Sequence, residues 1–274
     1  MSIHDDLANV VLFISSRRRA ASSKSPEEEK LWLYLRMLCY FTNVTGQAYR
    51  FEDSLSGSTP PAGPRLSAHR GTLAHLAEEL LLKTLTEIPE PEHKSVLILL
   101  ALLHFVAETG QLADVEDFFN NELDLAPVVL AYFTRYEEAE AWLRNEAQLP
   151  SPARILIGDD YYEFWYMRGD QTRGMYRAYI IEPTLEELAA EGIPSQRPSF
   201  ATRAEAEDWL MKHPANPYLF VAIAGEHYFA VHHPRLHRHS LHHVASALKA
   251  WEEHKRAVER EAALEAAQSD GTSE

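Results

Sequence analysis

The first 130 residues place their apolar side chains at helical spacing, three or four positions apart. Ser25, Pro26 and Glu28 form a helix-start signal, because a serine cap, a proline in the first turn and a glutamate that reaches back are typical of helix N-termini. The segment Glu92 to Thr109 is apolar on nearly every side, which predicts the central helix of a bundle. The predicted helices are 5–16, 26–43, 67–88, 92–109 and 113–123, and residues 1–130 are predicted to form a helical bundle.

Two later segments, Phe133 to Tyr162 and Phe200 to Phe229, are copies that superpose without a gap at a constant offset of 67 residues. Each contains an amphipathic helix (EEAEAWL and AEAEDWL), a loop with proline, an apolar run, glycine with an acidic residue, and an aromatic run. Apolar and aromatic runs joined by a Gly-acidic pair are typical of a β-hairpin. Each copy therefore predicts a helix followed by a β-hairpin, an αββ unit. The identical pairs are Phe133/Phe200, Glu138/Glu205, Ala139/Ala206, Glu140/Glu207, Trp142/Trp209, Leu143/Leu210, Pro150/Pro217, Gly158/Gly225 and Tyr161/Tyr228.

The predicted fold class is α+β, with an N-terminal helical bundle followed by a duplicated helix–β-hairpin domain and a C-terminal helix. The predicted domains are 1–130, then 131–245 with units at about 131–182 and 198–240, then a charged helix with a frayed tail at 246–274. Met175 to Ile181 predicts a third strand in the first copy, and Thr184 to Glu191 a short helix capped by Thr184. Ser54 to Pro64 is rich in Gly, Pro and Ser and predicts a mobile loop.

Composition narrows the class of protein. The chain has 274 residues, 46% hydrophobic residues and a formal charge of −15. This charge disfavours nucleic acid, which needs a basic footprint, and suits a basic protein partner. The single cysteine, Cys39, predicts a buried thiol and a reducing compartment. The longest apolar run, Val96 to Val106, is too short to span a bilayer, and acids precede the first apolar stretch, opposite to a secretory signal. We expect a cytoplasmic protein without membrane contact.

Eight histidines lie between residues 227 and 254. If this stretch were helical, His233 and His237 would share one face, as would His239 and His243, so these four are the candidate metal ligands. No cysteine or HExxH spacing accompanies them, and the alternative is a polar connection whose histidines cap, stack and titrate. We expect no cofactor. His104 is predicted to be a hydrogen-bonded core histidine, since no carboxylate or cysteine stands beside it at ligand spacing.

Motifs for nucleophilic catalysis, phosphate binding and dinucleotide binding are missing from the sequence, so we expect a protein that is not an enzyme. Asp159, Asp160 and Glu163 are carboxylates that could serve acid–base chemistry, but Gly-Asp is also what a tight turn needs. As exposed residues at the hairpin tips, Asp159, Asp160, Tyr161, Glu163 and Glu226 are the candidate contacts for a protein partner.

The strings FATRAEAEDWL and FVAIAGEHYFAVHHPRLHRHSL resemble an uncharacterised paralogous family of myxobacterial proteins. In that family an EAEAWL-type helix precedes an IGDxY hairpin and a histidine-containing tail, and some members are labelled "head protein". The resemblance covers the duplicated half only, and the tail here is richer in histidine. It implies no catalytic residues; it suggests a protein-binding immunity or regulatory factor, or a phage-derived structural protein.

Three functions stay open on the sequence. The first is a non-enzymatic cytosolic interaction factor, immunity-like or inhibitory, that presents an acidic surface to a basic partner. The second is a metal-binding protein or metal-dependent enzyme using the cluster from His232 to His243. The third is a structural or assembly protein of phage origin. The oligomeric state does not follow from the sequence.

Overall fold

A computed structural model describes residues 2–22, 25–56, 65–121, 126–146 and 149–270, with the backbone alone for 265–270. Three predicted segments lie partly or wholly outside these residues: the loop 54–64 at 57–64, the helix 113–123 at 122–123, and the tail at 271–274. The described part of the chain is α+β, as predicted: an N-terminal helical region, two four-stranded sheets and a long C-terminal helix.

The helices are α1 (Ile3–Ala21), α2 (Pro26–Val44), α3 (Ala48–Leu55), α4 (Leu73–Glu87), α5 (His93–Glu108), α6 (Leu112–Asn121), α7 (Tyr136–Asn145), α8 (Glu182–Glu191), α9 (Arg203–Lys212) and α10 (Val244–Asp270). The strands are β1 (Ala131–Phe133), β2 (Ala153–Ile157), β3 (Asp160–Tyr166), β4 (Arg173–Arg177), β5 (Ser199–Phe200), β6 (Tyr218–Ile223), β7 (Glu226–His233) and β8 (Arg238–His243).

Helix starts follow local capping chemistry. Ser25 caps α2 as predicted, and its hydroxyl accepts a hydrogen bond from the Glu28 amide at 3.3 Å. The predicted Thr184 cap is wrong. Helix α8 begins earlier, at Glu182, and has no side-chain cap bond. Because Pro183 fixes the backbone angle of the first turn, Thr184 lies inside the helix rather than before it.

Each copy of the duplication is larger than the predicted αββ unit. A short strand precedes the helix and pairs in parallel with the strand after it, β1 with β2 and β5 with β6. Each sheet then runs in sequence order, β1-β2-β3-β4 and β5-β6-β7-β8. The repeat is therefore β-α-β-β-β. The added leading strands have only three and two residues, too short to produce a periodic pattern.

The ungapped superposition is wrong beyond the two repeat helices. Phe133 and Phe200 are equivalent positions of the two copies. Phe133 pairs with Ile157 and Phe200 with Ile223, and these partners are 66 residues apart rather than 67. The carbonyl of Phe133 accepts a hydrogen bond from Gly158, and that of Phe200 accepts one from Ala224. The two-residue turns are thus 158–159 and 224–225, and the equivalent of Tyr228 is Tyr162.

Contacts divide the chain into two compact units. Unit 1 comprises Met1–Leu125, Glu146–Ala153 and Phe164–Gly174, and unit 2 comprises Ala126–Asn145, Arg154–Glu163 and Met175–Glu274. In unit 1 the helices bury one face of α2, which carries Trp32, Leu35, Leu38 and Cys39. Burial raises the pKa of the Cys39 thiol to about 12, which keeps it protonated and inert.

Unit 1 also contains the end of the β3–β4 hairpin. The Tyr49 hydroxyl donates to the Tyr166 carbonyl at 2.9 Å, and Ser151 exchanges two hydrogen bonds with the Tyr166 backbone. Arg168 forms a bidentate pair with Asp53, at 2.6 and 2.9 Å. Sequence-distant segments are therefore joined within this unit.

The predicted hydrogen bonding of His104 is confirmed in unit 1. Its Nε2 lies 2.6 Å from the carboxylate of Glu78, which is fully buried. Glu78 also accepts backbone hydrogen bonds from Arg65 at 2.6 Å and Leu66 at 3.0 Å. Three donors thus satisfy a carboxylate that would otherwise be costly to bury.

Two apolar clusters lie among the described residues of unit 2. One lies between the sheets, where Leu156 and Tyr161 of the first copy share a core with Phe220, Phe229 and Val231 of the second. The other packs α9 on the opposite face of the second sheet.

Among the described helices, none alone is long and apolar enough to cross a bilayer. Only the pair Glu90–Glu108 and Leu112–Asn121, bent by 110° between them, reaches that length and apolarity together.

Candidate functional site

Asp159, a predicted partner contact, is held inside unit 2. It lies in the first hairpin turn, and its carboxylate accepts two hydrogen bonds from Arg203 at 2.6 and 2.9 Å. It also accepts the Leu241 amide at 3.0 Å. Burial opposes its ionisation, but the bonds from Arg203 and Leu241 outweigh that effect and lower the pKa of Asp159. Asp159 thus ties the first repeat to α9 and β8 of the second.

Asp160 begins strand β3 and pairs with Arg177 at 2.7 Å. Arg177 also lies 3.7 Å from the carboxylate of Glu182, whose side chain is almost completely buried. Burial raises the pKa of both carboxyls, and Arg177 offsets this only in part. The group is a partly buried ion cluster with two carboxylates on one guanidinium.

The other two predicted contacts, Glu163 and Glu226, differ in exposure. Glu163 is half-buried, 3.6 Å from Arg154, and accepts a hydrogen bond from the Tyr176 hydroxyl at 3.1 Å. Glu226 is 71% exposed, with His243 3.5 Å away. Both stay candidates for a partner contact.

The expected exposure of Tyr161 is wrong. Its side chain is 1% exposed, because β-strand alternation points it into the core between the sheets while Tyr162 faces outward. The pair Tyr161-Tyr162 indicates that one ring is inside and one outside. The sequence does not tell which, since both are tyrosines.

The histidine-rich stretch is a β-hairpin and not a helix. His232 and His233 end β7, a short turn follows, and His239 and His243 belong to β8. His237 occupies the turn in a left-handed conformation, with φ of 48°. The helical spacing on which the four-ligand hypothesis depended is therefore not present, and no group of three or more potential ligands that could hold a metal occurs among the described residues.

Several of these histidines form a buried network. The Ser240 hydroxyl lies 3.0 Å from His233 Nε2 and 2.8 Å from His242 Nε2. The Tyr161 hydroxyl lies 3.4 Å from the same His233 nitrogen, and its ring is parallel to that of His242. His239 is also buried, and its Nε2 accepts the Ala215 amide at 3.2 Å.

Burial keeps these imidazoles neutral. It lowers the pKa of His233 to about 3, with a further contribution from His242, and it lowers the pKa of His242 to about 4 despite nearby Asp159. Burial and His232 lower the pKa of His239 to about 4. The neutral rings of His233 and His242 both bond to the Ser240 hydroxyl, and their contacts with Tyr161 stabilise the packing of the two copies.

A groove of about 540 Å³ opens where the copies meet. We call it the inter-repeat groove. Arg238, the first residue of β8, stacks its guanidinium on the Tyr132 ring of β1, with 3.4 Å from Cζ to the ring centroid. Met211 of α9 is exposed at the rim. The lining residues are Tyr132, Gly158, Asp159, Arg203, Glu207, Met211, Arg238 and His239.

A second surface feature of unit 2 is a run of partly exposed aromatic rings, which we call the aromatic strip. It consists of two groups of rings, Tyr136 with Tyr162 and Tyr179 with Trp251 and His254, and Tyr179 is close enough to Tyr162 to affect its ionisation. The centroids of Tyr136 and Tyr162 lie 5.9 Å apart, and Tyr179 stacks on His254 at 4.1 Å with Trp251 beside it. Sequence reasoning missed both the strip and the groove, because their members come from separate elements.

Comparisons with protein-family models, curated proteins and solved structures find no match for this chain. The resemblance to the myxobacterial family therefore stays a prediction. Function has to be argued from the surfaces and buried groups of the chain itself.

Proposed function

We propose that this chain is a non-enzymatic protein-interaction factor that binds a basic protein through the aromatic strip of unit 2. The observation that carries the proposal is the strip itself, a run of five partly exposed rings from α7, β3, the segment after β4, and α10. Tyrosine and tryptophan are enriched at protein interfaces, where they supply large contact areas with little loss of side-chain freedom.

The charge around the strip favours a basic partner. Glu137 and Glu140 of α7 form no ion pair with any described residue, and Asp160 lies near Tyr162. The strip already holds cations: Arg177 lies 4.9 Å from the Tyr179 ring centroid, and Lys255 Nζ lies 5.6 Å from that of Trp251. Arginine and lysine side chains of a partner could use the same stacking geometry, bordered by carboxylates.

The buried groups support a role without catalysis. The histidines that could transfer protons are neutral and enclosed, and Asp159 is saturated by Arg203 and Leu241. A cytoplasmic location belongs to the proposal, since Cys39 is a buried thiol. If the partner is a basic enzyme, covering its basic surface would inhibit it, which is the immunity-like form of this function.

The test is affinity capture from an extract of the source cells on the immobilised full chain, at about 0.05 M and about 0.5 M salt. We expect a stoichiometric basic protein at low salt that is largely lost at high salt, because charge complementarity is screened. Tyr136→Ala should weaken capture, and so should Glu137→Gln combined with Glu140→Gln.

The matched control is Glu259→Gln combined with Glu261→Gln, which removes the same charge from an exposed part of α10. Capture by this variant should equal that of the unaltered chain. Equal losses in both double variants would mean that net charge alone drives binding, and the strip proposal would then be wrong. Absence of a stoichiometric partner at low salt would overturn the interaction function itself.

A further inference from the structure

The inter-repeat groove contains an arginine without a carboxylate partner. Arg203 is paired with two carboxylates, with two bonds to Asp159 and one from its Nε to Glu207 at 2.6 Å. Arg238 differs: no described residue accepts a hydrogen bond from its side chain, and its Nε is buried and unpaired. Its guanidinium instead makes a cation–π contact with the Tyr132 ring. A guanidinium fixed in this way presents its remaining donors in a set orientation.

A second polar group in the lining of the groove, a donor, also lacks a partner among the described residues. His239 is 5% exposed, and its Nε2 accepts the Ala215 amide, so the proton of the neutral ring lies on Nδ1. That Nδ1 has no partner among the described residues. The carboxylates of the groove, Asp159 and Glu207, accept hydrogen bonds from Arg203 and none from Arg238. An anionic occupant would give the Arg238 guanidinium the acceptor oxygens that these carboxylates do not supply.

We propose that the inter-repeat groove binds a small organic anion, with a carboxylate or phosphate on Arg238 and an apolar or aromatic portion beside Tyr132 and Met211. Arginine recognises either oxyanion by paired N–H···O bonds. The groove volume of about 540 Å³ is that of a small-molecule site. The Tyr132 ring and the exposed Met211 thioether supply the apolar wall.

The position of the groove makes it dependent on both copies. Tyr132 comes from β1 of the first copy and Arg238 from β8 of the second, while Asp159 and Arg203 join the copies at its floor. A ligand on Arg238 therefore contacts the junction of the repeats. The site is distinct from the aromatic strip, and its test needs no protein partner, so either proposal can fail without the other.

The experiment is titration calorimetry of the full chain with benzoate and with phenyl phosphate, and with benzyl alcohol as the neutral control. We expect saturable one-to-one binding of at least one anion, and the tighter of the two identifies the preferred oxyanion. Binding should shift the NMR signal of the Met211 methyl group. Benzyl alcohol should bind at least about tenfold more weakly, because it lacks the charge-assisted hydrogen bonds.

Arg238→Gln should weaken anion binding at least about tenfold, and Arg238→Lys, which keeps the charge but loses the paired geometry, should also weaken it. Arg256→Gln on α10 removes the same charge from a residue that does not line the groove and should bind normally. If Arg238→Gln does not fold, Arg238→Lys decides the question. The proposal is overturned if neither anion saturates at about 10 mM, if benzyl alcohol binds equally well, or if folded Arg238 variants bind like the unaltered chain.

Discussion

Acidification from about pH 7.5 to about pH 5.5 is expected to destabilise the second sheet of unit 2 strongly. In the unfolded chain a histidine takes up a proton near pH 6.5, whereas the folded-state pKa is about 3 for His233 and about 4 for His239 and His242. A lowered folded pKa means that the stabilisation is complete above pH 6.5. It is lost as the pH falls towards the folded values, because the unfolded state then binds protons that the folded state does not.

The size of the effect follows from this proton difference. At about pH 5.5 each histidine contributes a loss of about 1.4 kcal/mol, so the three together remove about 4 kcal/mol of unfolding free energy. Asp160 and Glu182 act in the opposite direction, because burial raises their pKa and the folded state binds their protons first. The unfolding free energy therefore falls most steeply with decreasing pH before those two carboxyls begin to take up protons.

Native-state amide hydrogen exchange of Phe229 and Val231 measures the predicted loss of stability, since both amides belong to β7 and report opening of the second sheet. After correction for intrinsic exchange, the opening free energy should fall by about 4 kcal/mol across the interval. His233→Gln should reduce the slope by about a third, and His69→Gln, an exposed site in unit 1, should leave it unchanged. A fall below about 1.4 kcal/mol, the value for one histidine, would refute the reasoning.

Two further substitutions test the packing of unit 1. Glu78→Leu should lower the free energy of urea unfolding by about 3–5 kcal/mol, because it leaves His104 and two backbone amides without an acceptor. Glu79→Leu, on the exposed side of the same helix, should change it by no more than about 0.5 kcal/mol. Similar losses in the two variants would contradict the hydrogen-bond network around Glu78. Gly46→Ala should lower the melting temperature more than Gly110→Ala. Both glycines have a positive φ, but only at Gly46 would the new Cβ collide with another residue, Pro150. Equal shifts in melting temperature would show that backbone strain alone matters.

The sequence predicted the parts of the fold that depend on local pattern. The α+β class, the Ser25 cap and the buried face of α2 follow from periodicity and capping residues, which act over a few positions. The predicted αββ unit missed β1, β5 and β8. The first two are too short to alternate, and in β8 the run RHSLHH resembles a polar connection rather than a strand.

The candidate site was harder to predict because its contacts link residues far apart in sequence. The Gly-Asp pair indicates that Asp159 is a turn residue, but nothing near it in sequence indicates that Arg203 binds it. The identities Gly158/Gly225 and Tyr161/Tyr228 favoured a constant offset that the strand pairing does not follow. As a result the sequence predicted an exposed Tyr161, whereas Tyr162 is the outward ring.

The division into units has a consequence for how the protein is made. The chain passes between unit 1 and unit 2 five times, and unit 1 is complete only at Gly174. Ribosomes release the N-terminal helices first, yet the segments that bind Tyr49 and Asp53 emerge more than a hundred residues later. Unit 1 therefore cannot finish folding as an independent N-terminal domain during synthesis, and a nascent chain halted before residue 164 should lack the Tyr49–Tyr166 and Asp53–Arg168 contacts.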